Sequence, residues 1–225
     1  MRIITFACQK GAAGKTTLAG HVGVQAELAG TGPVVLLDTD QQGALAEWWN
    51  SRAPERPAFA HTAIETIADD IERLRDLGFQ YCFIDSASAI SPAVEQVIRV
   101  SDLVVIPCRP SPHDIRAATK TIDLVEQAGK SLVFVLNGAT AGESINEEAE
   151  EVLAEVGTVS PVRIHNRVDY AESMFDGLTV MEVTPDGESA AEIGELWAYL
   201  LGLLSDSGPV AGPDSPGVFG GAATP

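Results

Sequence analysis

The stretch FACQKGAAGKTTLAG, residues 6–20, decides the fold of this chain. Its GKT at residues 14–16 matches the end of the phosphate-binding loop G-x-x-x-x-G-K-[ST], while Gln9 stands where that pattern has its first glycine. An apolar, strand-like run precedes the loop and a helix-like segment follows it. In this setting the backbone N–H groups of residues 11–16 converge on a phosphate at the positive end of the helix. The sequence therefore predicts a nucleotide-binding loop near the start of the chain.

Strand-like and helix-like segments alternate from the first residue. Continuous apolar runs, as expected for parallel strands covered on both faces, occur at Ile3–Cys8, Val34–Leu37, Tyr81–Ile84, Leu103–Pro107 and Leu132–Leu136. Helix-like segments follow them at Lys15–Ala29, Ala44–Ser51, Ala63–Leu77, Pro92–Val100, Asp114–Ala128 and Glu147–Val156. A short run at Val162–Ile164, a helix around Val168–Phe175 and a last helix from about Asp186 to Leu204 complete the fold.

This alternation predicts the α/β class, with a doubly wound, mostly parallel sheet and helices on both faces. One P-loop domain is expected over residues 1–204. Residues 205–225 are dense in Gly, Pro and Ser and are predicted to form a flexible tail.

Lys10 explains why the loop lacks a glycine at Gln9. The sequence K-G-x-x-G-K-T, from Lys10 to Thr16, resembles the deviant Walker A box of the ParA/MinD family of dimerising ATPases. That family's K-G-G-x-G-K-[ST] has its early glycine at the place of Gly11. The resemblance implies that Lys10 crosses a two-fold interface to the phosphates bound by the other subunit, which couples ATP to dimerisation. The family's second glycine is Ala12 here, which costs about 1 kcal/mol if that residue must take a positive φ.

Two acidic segments complete the predicted site. In VVLLDTDQQG, residues 34–43, Asp38 and Asp40 can project together toward the edge where open α/β sheets bind ligands; a pair of helix-capping carboxylates is the alternative. The segment resembles the family's D-x-D-P-Q-G, which implies that Asp40 orients the attacking water and that Asp38 lies near the magnesium shell. In YCFIDSA, residues 81–87, Asp85 ends an apolar strand and fits a Walker B carboxylate that holds Mg²⁺.

The resemblance is strongest to small partition ATPases of the ParF type, and it extends to later segments. Residues 104–118 resemble the family's P-x-x-P-S-P-x-D segment, and residues 166–196 its C-terminal R-x-x-Y/F…G-x-x-V-x-E segment. The strand LVFVLN ends in Asn137, which the resemblance implies to hydrogen-bond adenine.

The expected site residues follow from the loop and from this resemblance, with ATP and Mg²⁺ as the cofactors. Lys15 is expected to bridge the β- and γ-phosphates. The predicted nucleotide-binding residues are Gly11, Ala12, Ala13, Gly14, Lys15, Thr16, Thr17 and Asn137. The predicted catalytic residues are Lys10 and Asp40, and the predicted Mg²⁺ ligands are Thr16, Asp38 and Asp85.

The charge of the chain bears on its partners. Fourteen basic residues face 32 acidic ones, a net charge of −18, and residues 143–225 hold sixteen of the acidic residues against Arg163 and Arg167. This balance argues against a broad basic face for nucleic acid. Five other cations form a candidate strip for DNA: Arg99, Arg109, Arg116, Lys120 and Lys130.

The predicted function is an ATP-dependent dimerising switch ATPase, slow and stimulated by a partner, for plasmid or chromosome partition or for positioning another cellular cargo. The expected partners are a second copy of the chain and a centromere-binding or cargo-bound adaptor protein. Non-specific DNA is a further candidate, in conflict with the acidic C-terminal part. The alternative is an orphan ParA-like regulatory switch that acts through a protein partner without DNA.

Other classes fit the sequence less well. A reductase iron protein with the same loop needs paired cysteines, whereas Cys8, Cys82 and Cys108 lie in strand-like runs. No residues indicate the second substrate pocket that a ligase would need. The apolar start is too short for a signal peptide and no run approaches the ~20 residues of a membrane span, so we expect no membrane partner. The expected localisation is the cytoplasm, with nucleoid association if DNA is bound.

Overall fold

Seven strands and nine α-helices alternate along residues 1–89 and 91–206, which the computed structural model describes. The strands are β1 Arg2–Phe6, β2 Val34–Asp38, β3 Ala58–Ala60, β4 Tyr81–Asp85, β5 Leu103–Cys108, β6 Ser131–Ala139 and β7 Ile164–His165. The helices are α1 Lys15–Leu28, α2 Ala44–Ser51, α3 Ile67–Asp76, α4 Pro92–Val100, α5 Pro112–Gln127, α6 Ile145–Ala154, α7 Asp169–Phe175, α8 Val180–Val183 and α9 Glu188–Asp206. A 3₁₀ turn at Ile64–Thr66 leads into α3.

All strand pairs of the sheet are parallel, in the order β3-β2-β4-β1-β5-β6-β7. The central strand β1 lies between β4 and β5, so the chain moves to one side of β1 first and to the other side afterwards. Ligands of open α/β sheets bind where the strand order reverses in this way, at the carboxyl edge. The loop after β1 lies at that position, and the predicted α/β, doubly wound P-loop fold is confirmed.

Helices cover both faces of the sheet because its inner strands are buried on both sides. On one face, Ile4 and Phe6 of β1 pack in a core with residues of α1, α2 and α9, among them Trp197. On the other face, one cluster lies under α4, α5 and α6 and a second lies under α3. The central loop is thus held by a rigid, two-sided core.

The sequence missed two edge features of the sheet. The three-residue strand β3 pairs with β2, but its sequence Ala-Phe-Ala has neither the length nor the β-branched residues of the other strands. Strand β6 continues to Ala139, three residues beyond the predicted Leu136, with an irregular register between Asn137 and Ala139 where β7 pairs. Both features involve local backbone pairing that an apolar pattern does not encode.

Element ends differ by about two residues at several helices. Helix α5 begins at Pro112, two residues before the predicted Asp114, because the Ser111 side chain caps it and accepts a hydrogen bond from the Asp114 N–H. Helix α9 includes Ser205 and Asp206, which the sequence had assigned to the tail. The rest of the predicted tail, residues 207–225, lies outside the described residues. Within the described part of the chain, no helix combines the length and hydrophobicity that crossing a membrane requires.

Candidate functional site

The loop between β1 and α1 has a backbone suited to binding an anion. Ala12 has a φ of 59° and Gly14 a φ of 98°, so left-handed residues alternate along the loop. Successive N–H groups in such a conformation point into one concavity. The first turn of α1 has neither a capping side chain nor an acidic residue. Its N–H groups and the positive end of its dipole are therefore open to a phosphate.

Ala12 occupies the left-handed region that glycine favours, so the alanine at this position does carry the cost of a positive φ. For an L-residue this conformation costs roughly 1–2 kcal/mol. The strain is retained in a loop whose ends are fixed by β1 and α1.

Gly14 and Asn137 are in close contact. A Cβ built on Gly14 would lie 2.1 Å from Asn137 Nδ2, so only glycine fits here. The Asn137 amide donates a hydrogen bond to the Ala13 carbonyl at 2.7 Å. Asn137 therefore holds the loop in place, and its predicted contact with adenine stays a prediction.

The two loop lysines lie in different surroundings. Lys15 is 6% exposed, and its Nζ donates to Ser88 Oγ at 2.7 Å and to the Lys10 carbonyl at 3.4 Å. The Lys10 side chain is 42% exposed, and its Nζ contacts Asp114 Oδ2 at 2.9 Å. Lys15 is thus held inside its own site, whereas Lys10 reaches the surface beside α5.

Thr16 and Asp85 are brought together as the sequence predicts for a Mg²⁺ site. Thr16 Oγ1 donates to Asp85 Oδ2 at 2.5 Å, and Asp85 Oδ1 is buried without a hydrogen-bond partner. Burial raises the pKa of Asp85 to about 7. An unpartnered carboxylate oxygen beside a hydroxyl offers the hard oxygen ligands that Mg²⁺ prefers, so these residues fit the ion.

Asp38 and Asp40 follow β2 and differ in their contacts. Asp38 Oδ2 accepts hydrogen bonds from the backbone N–H groups of Leu45 and Ala46 at 3.0 Å, and its Oδ1 accepts one from Asp40 N–H at 2.9 Å. Burial raises the pKa of Asp38. Asp40 is half-buried, and its Oδ1 accepts one bond, from Gln42 N–H at 3.0 Å. Asp38 thus secures the start of α2, and its predicted place near Mg²⁺ stays a prediction.

A cavity of about 390 Å³ opens beside the loop and extends away from it. One wall is the loop itself, and the opposite wall is the chain from Ile164 to Tyr170. The lining residues are Ala12, Gly14, Thr17, Arg109, Asn137, Gly138, Ile164, His165, Asn166, Arg167 and Tyr170. A phosphate bound at the loop leaves this space for the rest of a nucleotide. The sequence matched residues 166–196 to the family but assigned none of them to the site.

Acidic partners surround both cations of the C-terminal part. Arg163 contacts Glu147 and Glu150, at 3.0 and 2.6 Å. Arg167 contacts Glu188 and Glu192, at 2.6 and 3.1 Å. Three cations of the candidate DNA strip are exposed on helices: Arg99 on α4, and Arg116 and Lys120 on α5. Of the other two, Lys130 follows α5 and is half-buried, and Arg109 lines the cavity. The exposed members of this candidate strip therefore lie on the α4–α5 side.

The three cysteines are buried side chains of the sheet and of the segment that follows β1. Cys8, Cys82 and Cys108 are buried and free. Burial raises the pKa of each thiol. Among the described residues, no cluster of three or more His, Cys, Asp or Glu side chains is arranged to hold a metal ion.

Comparison with known proteins gives a consistent result. The sequence model of the VirC1 protein family matches residues 1–132. The chain is 33% identical over 193 residues to a "Maintenance of carboxysome distribution protein A" from Gloeobacter kilaueensis, with 80% of this chain and 84% of that protein covered. It is 27% identical over 192 residues to the protein of the same name from Halothiobacillus neapolitanus, covering 81% and 88%.

The fold has a solved counterpart in the MinC:MinD cell division protein complex of Aquifex aeolicus. The TM-score is 0.76 at 18% identity, over 90% of this chain and 96% of that chain. At this identity the likeness concerns the fold alone. The family match and the sequence relatives therefore show the family, and the solved structure shows the fold.

Proposed function

We propose a function from one premise: this chain belongs to the VirC1 family, within the ParA/MinD group of ATPases. It is an ATP-dependent dimerising switch that hydrolyses ATP slowly and positions or partitions a cellular cargo. The observation that supports this best is the pair of lysines in one loop, Lys15 held inside the site and Lys10 42% exposed beside α5.

The first step is nucleotide binding. The phosphates lie against the backbone N–H groups of the loop and the start of α1, and Lys15 exchanges its hydrogen bond with Ser88 for one with a phosphate oxygen. The base and ribose enter the cavity between Asn137 and the chain from Ile164 to Tyr170. Binding of the phosphates at this loop accounts for the strained φ of Ala12.

Thr16 and Asp85 would hold Mg²⁺, with Asp38 nearby. When bound, the ion neutralises charge on the β- and γ-phosphate oxygens. Asp85 must be ionised to take part, and Lys15 close to it favours the ionised form.

Asp40 is the residue that orients the attacking water. Its carboxylate accepts one backbone hydrogen bond and is half-buried, so lone pairs remain for a water molecule. The in-line attack places charge on the transferring phosphoryl group, and Lys10 from the second subunit stabilises that charge. Before dimerisation Lys10 is held by Asp114 of its own chain. Hydrolysis therefore requires the dimer, which gives an adaptor protein a step to accelerate.

The cargo is proposed by analogy with the relatives. Two of them are named for maintaining carboxysome distribution, and a 29% identical relative from Rhizobium radiobacter is named ParA. A cellular assembly or a DNA molecule bound through an adaptor is the corresponding cargo here.

A second candidate, a switch that acts through a protein partner without DNA, is favoured by the paired state of Arg163 and Arg167. Non-specific DNA affinity depends on the number of phosphates that are neutralised. We would measure binding to non-specific duplex DNA in ATP and in ADP across a salt titration, with Arg116→Ala/Lys120→Ala as the variant. ATP-only, salt-sensitive binding that this variant loses supports DNA as the matrix; no binding at any salt supports the protein-partner switch.

The proposed ATPase is tested with Lys15→Ala against Lys120→Ala, an exposed lysine on α5 that serves as the matched control. Removing a charge-assisted bond to phosphate from a buried site weakens binding on the order of 100-fold. We expect Lys15→Ala to lose ATP and ADP binding and hydrolysis by this amount and Lys120→Ala to keep both. Wild-type protein that neither binds nor hydrolyses ATP with Mg²⁺ would refute the proposal.

A further inference from the structure

Glu192 lies behind the cavity wall that faces the phosphate loop. It is in the second turn of α9, and its side chain is 12% exposed. Its Oε1 accepts hydrogen bonds from His165 Nδ1 at 2.8 Å and from Arg167 Nη2 and Nε at 3.1 and 3.3 Å. Its Oε2 accepts from His165 N–H at 3.0 Å and from the Tyr170 hydroxyl at 2.9 Å. One carboxylate thus binds three residues of the wall.

All of these partners donate, so Glu192 is needed as an acceptor on both oxygens. Burial alone raises the pKa of Glu192, but the hydrogen bonds from the His165 backbone, Tyr170, the His165 side chain and Arg167 outweigh it and hold the pKa below its usual range. The same contact raises the pKa of the Tyr170 hydroxyl, after the larger effect of burial. The carboxylate is therefore ionised at neutral pH, and an amide in its place would turn an NH₂ group toward donors.

Few other polar contacts of the backbone fix this wall. Strand β7 contains two residues, Ile164 and His165, and it pairs with the irregular end of β6. One further backbone bond, from Asn166 N–H to the Ala139 carbonyl at 2.8 Å, continues the pairing. A two-residue edge strand is weak by itself. Ile164 and Tyr170 also pack in the buried core, and Ser189 Oγ donates to Asp169 Oδ2 at 2.6 Å. The Glu192 contacts add to these by joining His165, Arg167 and Tyr170 to one carboxylate.

We propose that Glu192 is a positioning residue for the base and ribose of the bound nucleotide. This inference rests on the proposed function, because it assigns a nucleotide to the cavity. Glu192 acts through His165, Arg167 and Tyr170, which line the cavity, and its carboxylate faces those residues. The hydrogen bonds of Glu192 go to His165, Arg167 and Tyr170 and not to the phosphate loop. The phosphate end of the site therefore forms without Glu192.

The test compares two ligands on Glu192→Gln in the full chain. Nucleotides need both ends of the cavity, whereas inorganic tripolyphosphate needs the loop alone. With Mg²⁺ present, we expect ATP and ADP to bind roughly tenfold more weakly, because buried donors are left facing an NH₂ group. Tripolyphosphate affinity should change less than twofold. The KM for ATP should rise with its Kd, while kcat at saturating ATP stays within about twofold, since the wall does not touch the reacting phosphate.

Two further variants keep this test interpretable. Glu188→Gln is the matched control, because Glu188 also contacts Arg167, at 2.6 Å, but its side chain is 78% exposed. An exposed ion pair contributes little, so the nucleotide affinity of this variant should stay within about twofold of wild type. Tyr170→Phe keeps the ring and removes one donor, so it should weaken nucleotide binding by less than Glu192→Gln does. Thermal unfolding without nucleotide shows whether each variant is folded.

Three outcomes would overturn the inference. The first is unchanged nucleotide affinity in Glu192→Gln, and the second is equal weakening of nucleotide and tripolyphosphate. A large fall in kcat with unchanged KM is the third. Wild-type protein that binds no nucleotide would overturn the proposed function together with this inference, whereas any of the three with normal wild-type binding overturns the inference alone.

Discussion

The two walls of the cavity are built by different means. The phosphate wall is a continuous stretch of chain, with its conformation fixed by Ala12 and Gly14 and by the strand and helix on either side. The opposite wall, Ile164 to Tyr170, is held by side chains that meet at Glu192, more than twenty residues further along the chain. The first wall is thus fixed by local backbone conformation, and the second by contacts between segments that are distant in the sequence.

This difference explains what the sequence could and could not predict. The phosphate wall was predicted from residues 10–16, because backbone N–H groups, a lysine and a hydroxyl must come at fixed spacings in one loop. Thr16 and Asp85, both predicted as Mg²⁺ ligands, lie in contact because parallel strands bring their carboxyl ends to the same edge; their role as ligands stays a prediction.

The opposite wall has no such spacing. Glu192 is one of five acidic residues between Asp186 and Asp206, and only the packing of α9 brings it to His165 and Arg167. Likewise, no pattern indicated that Ser88 and Asp114 would hold the two loop lysines. The two bonds that Asp38 accepts at the start of α2 correspond to the alternative of helix capping left open by the sequence.

The largest expected effect is on the rate of ATP hydrolysis, at Asp40 near the phosphate wall. Asp40→Ala should lower the rate of ATP hydrolysis roughly 10²–10⁴-fold, the range typical of a residue that orients or activates the nucleophile. ATP affinity should change less than about twofold, because Asp40 is assigned to the water. Single-turnover hydrolysis and equilibrium ATP binding are the measurements.

The neighbouring carboxylate, Asp38, should show an effect on stability that is measured separately. Asp38→Ala should lower the free energy of unfolding by about 1–2 kcal/mol, because the first N–H groups of α2 lose their acceptor. If Asp40→Ala hydrolyses ATP at the wild-type rate, Asp40 is not the water-orienting residue.

Low pH should destabilise the contact between α1, which follows the phosphate loop, and Tyr170 of the opposite wall. His21 of α1 is buried, contacts the Thr17 carbonyl at 2.8 Å and packs against the ring of Tyr170. Burial lowers its pKa from 6.5 to about 4. As the pH falls, His21 is protonated in the unfolded chain before it is protonated in the folded protein. The contribution of neutral His21 to stability is therefore fully present above pH 6.5 and is lost as the pH drops toward 4. Because one pKa unit corresponds to about 1.4 kcal/mol, the loss of stability from His21 by pH 4.5 is on the order of 2–3 kcal/mol.

This loss is measured against His21→Gln, which does not titrate, by urea unfolding at pH 7.5 and pH 4.5. Acidic groups titrate in both proteins, so the difference between the two pH dependences belongs to His21. Identical pH dependences would show that His21 is not buried in its neutral form.

The smallest expected effect concerns the strained residue of the loop. Ala12→Gly should raise the free energy of unfolding by about 0.5–1 kcal/mol, because glycine adopts a positive φ without the steric cost, offset in part by the entropy of the unfolded chain. Ala13→Gly is the matched control. Ala13 is buried and has no positive φ, so this change should destabilise the protein. The free energy of unfolding of both variants is measured by urea unfolding. A lower value for Ala12→Gly than for wild type would show that Ala12 is not strained.

Closure of an ATP-bound dimer through Lys10 is the step on which the proposed function depends. The most direct measurement is the molecular mass by light scattering in Mg-ATP and in Mg-ADP, with hydrolysis blocked by Asp40→Ala, for proteins with and without Lys10→Ala. The account predicts twice the 23.6 kDa of one chain in ATP, one chain in ADP, and one chain in both nucleotides once Lys10 is replaced. The same mass in ATP and ADP, or an ATP-dependent dimer that survives Lys10→Ala, would contradict it.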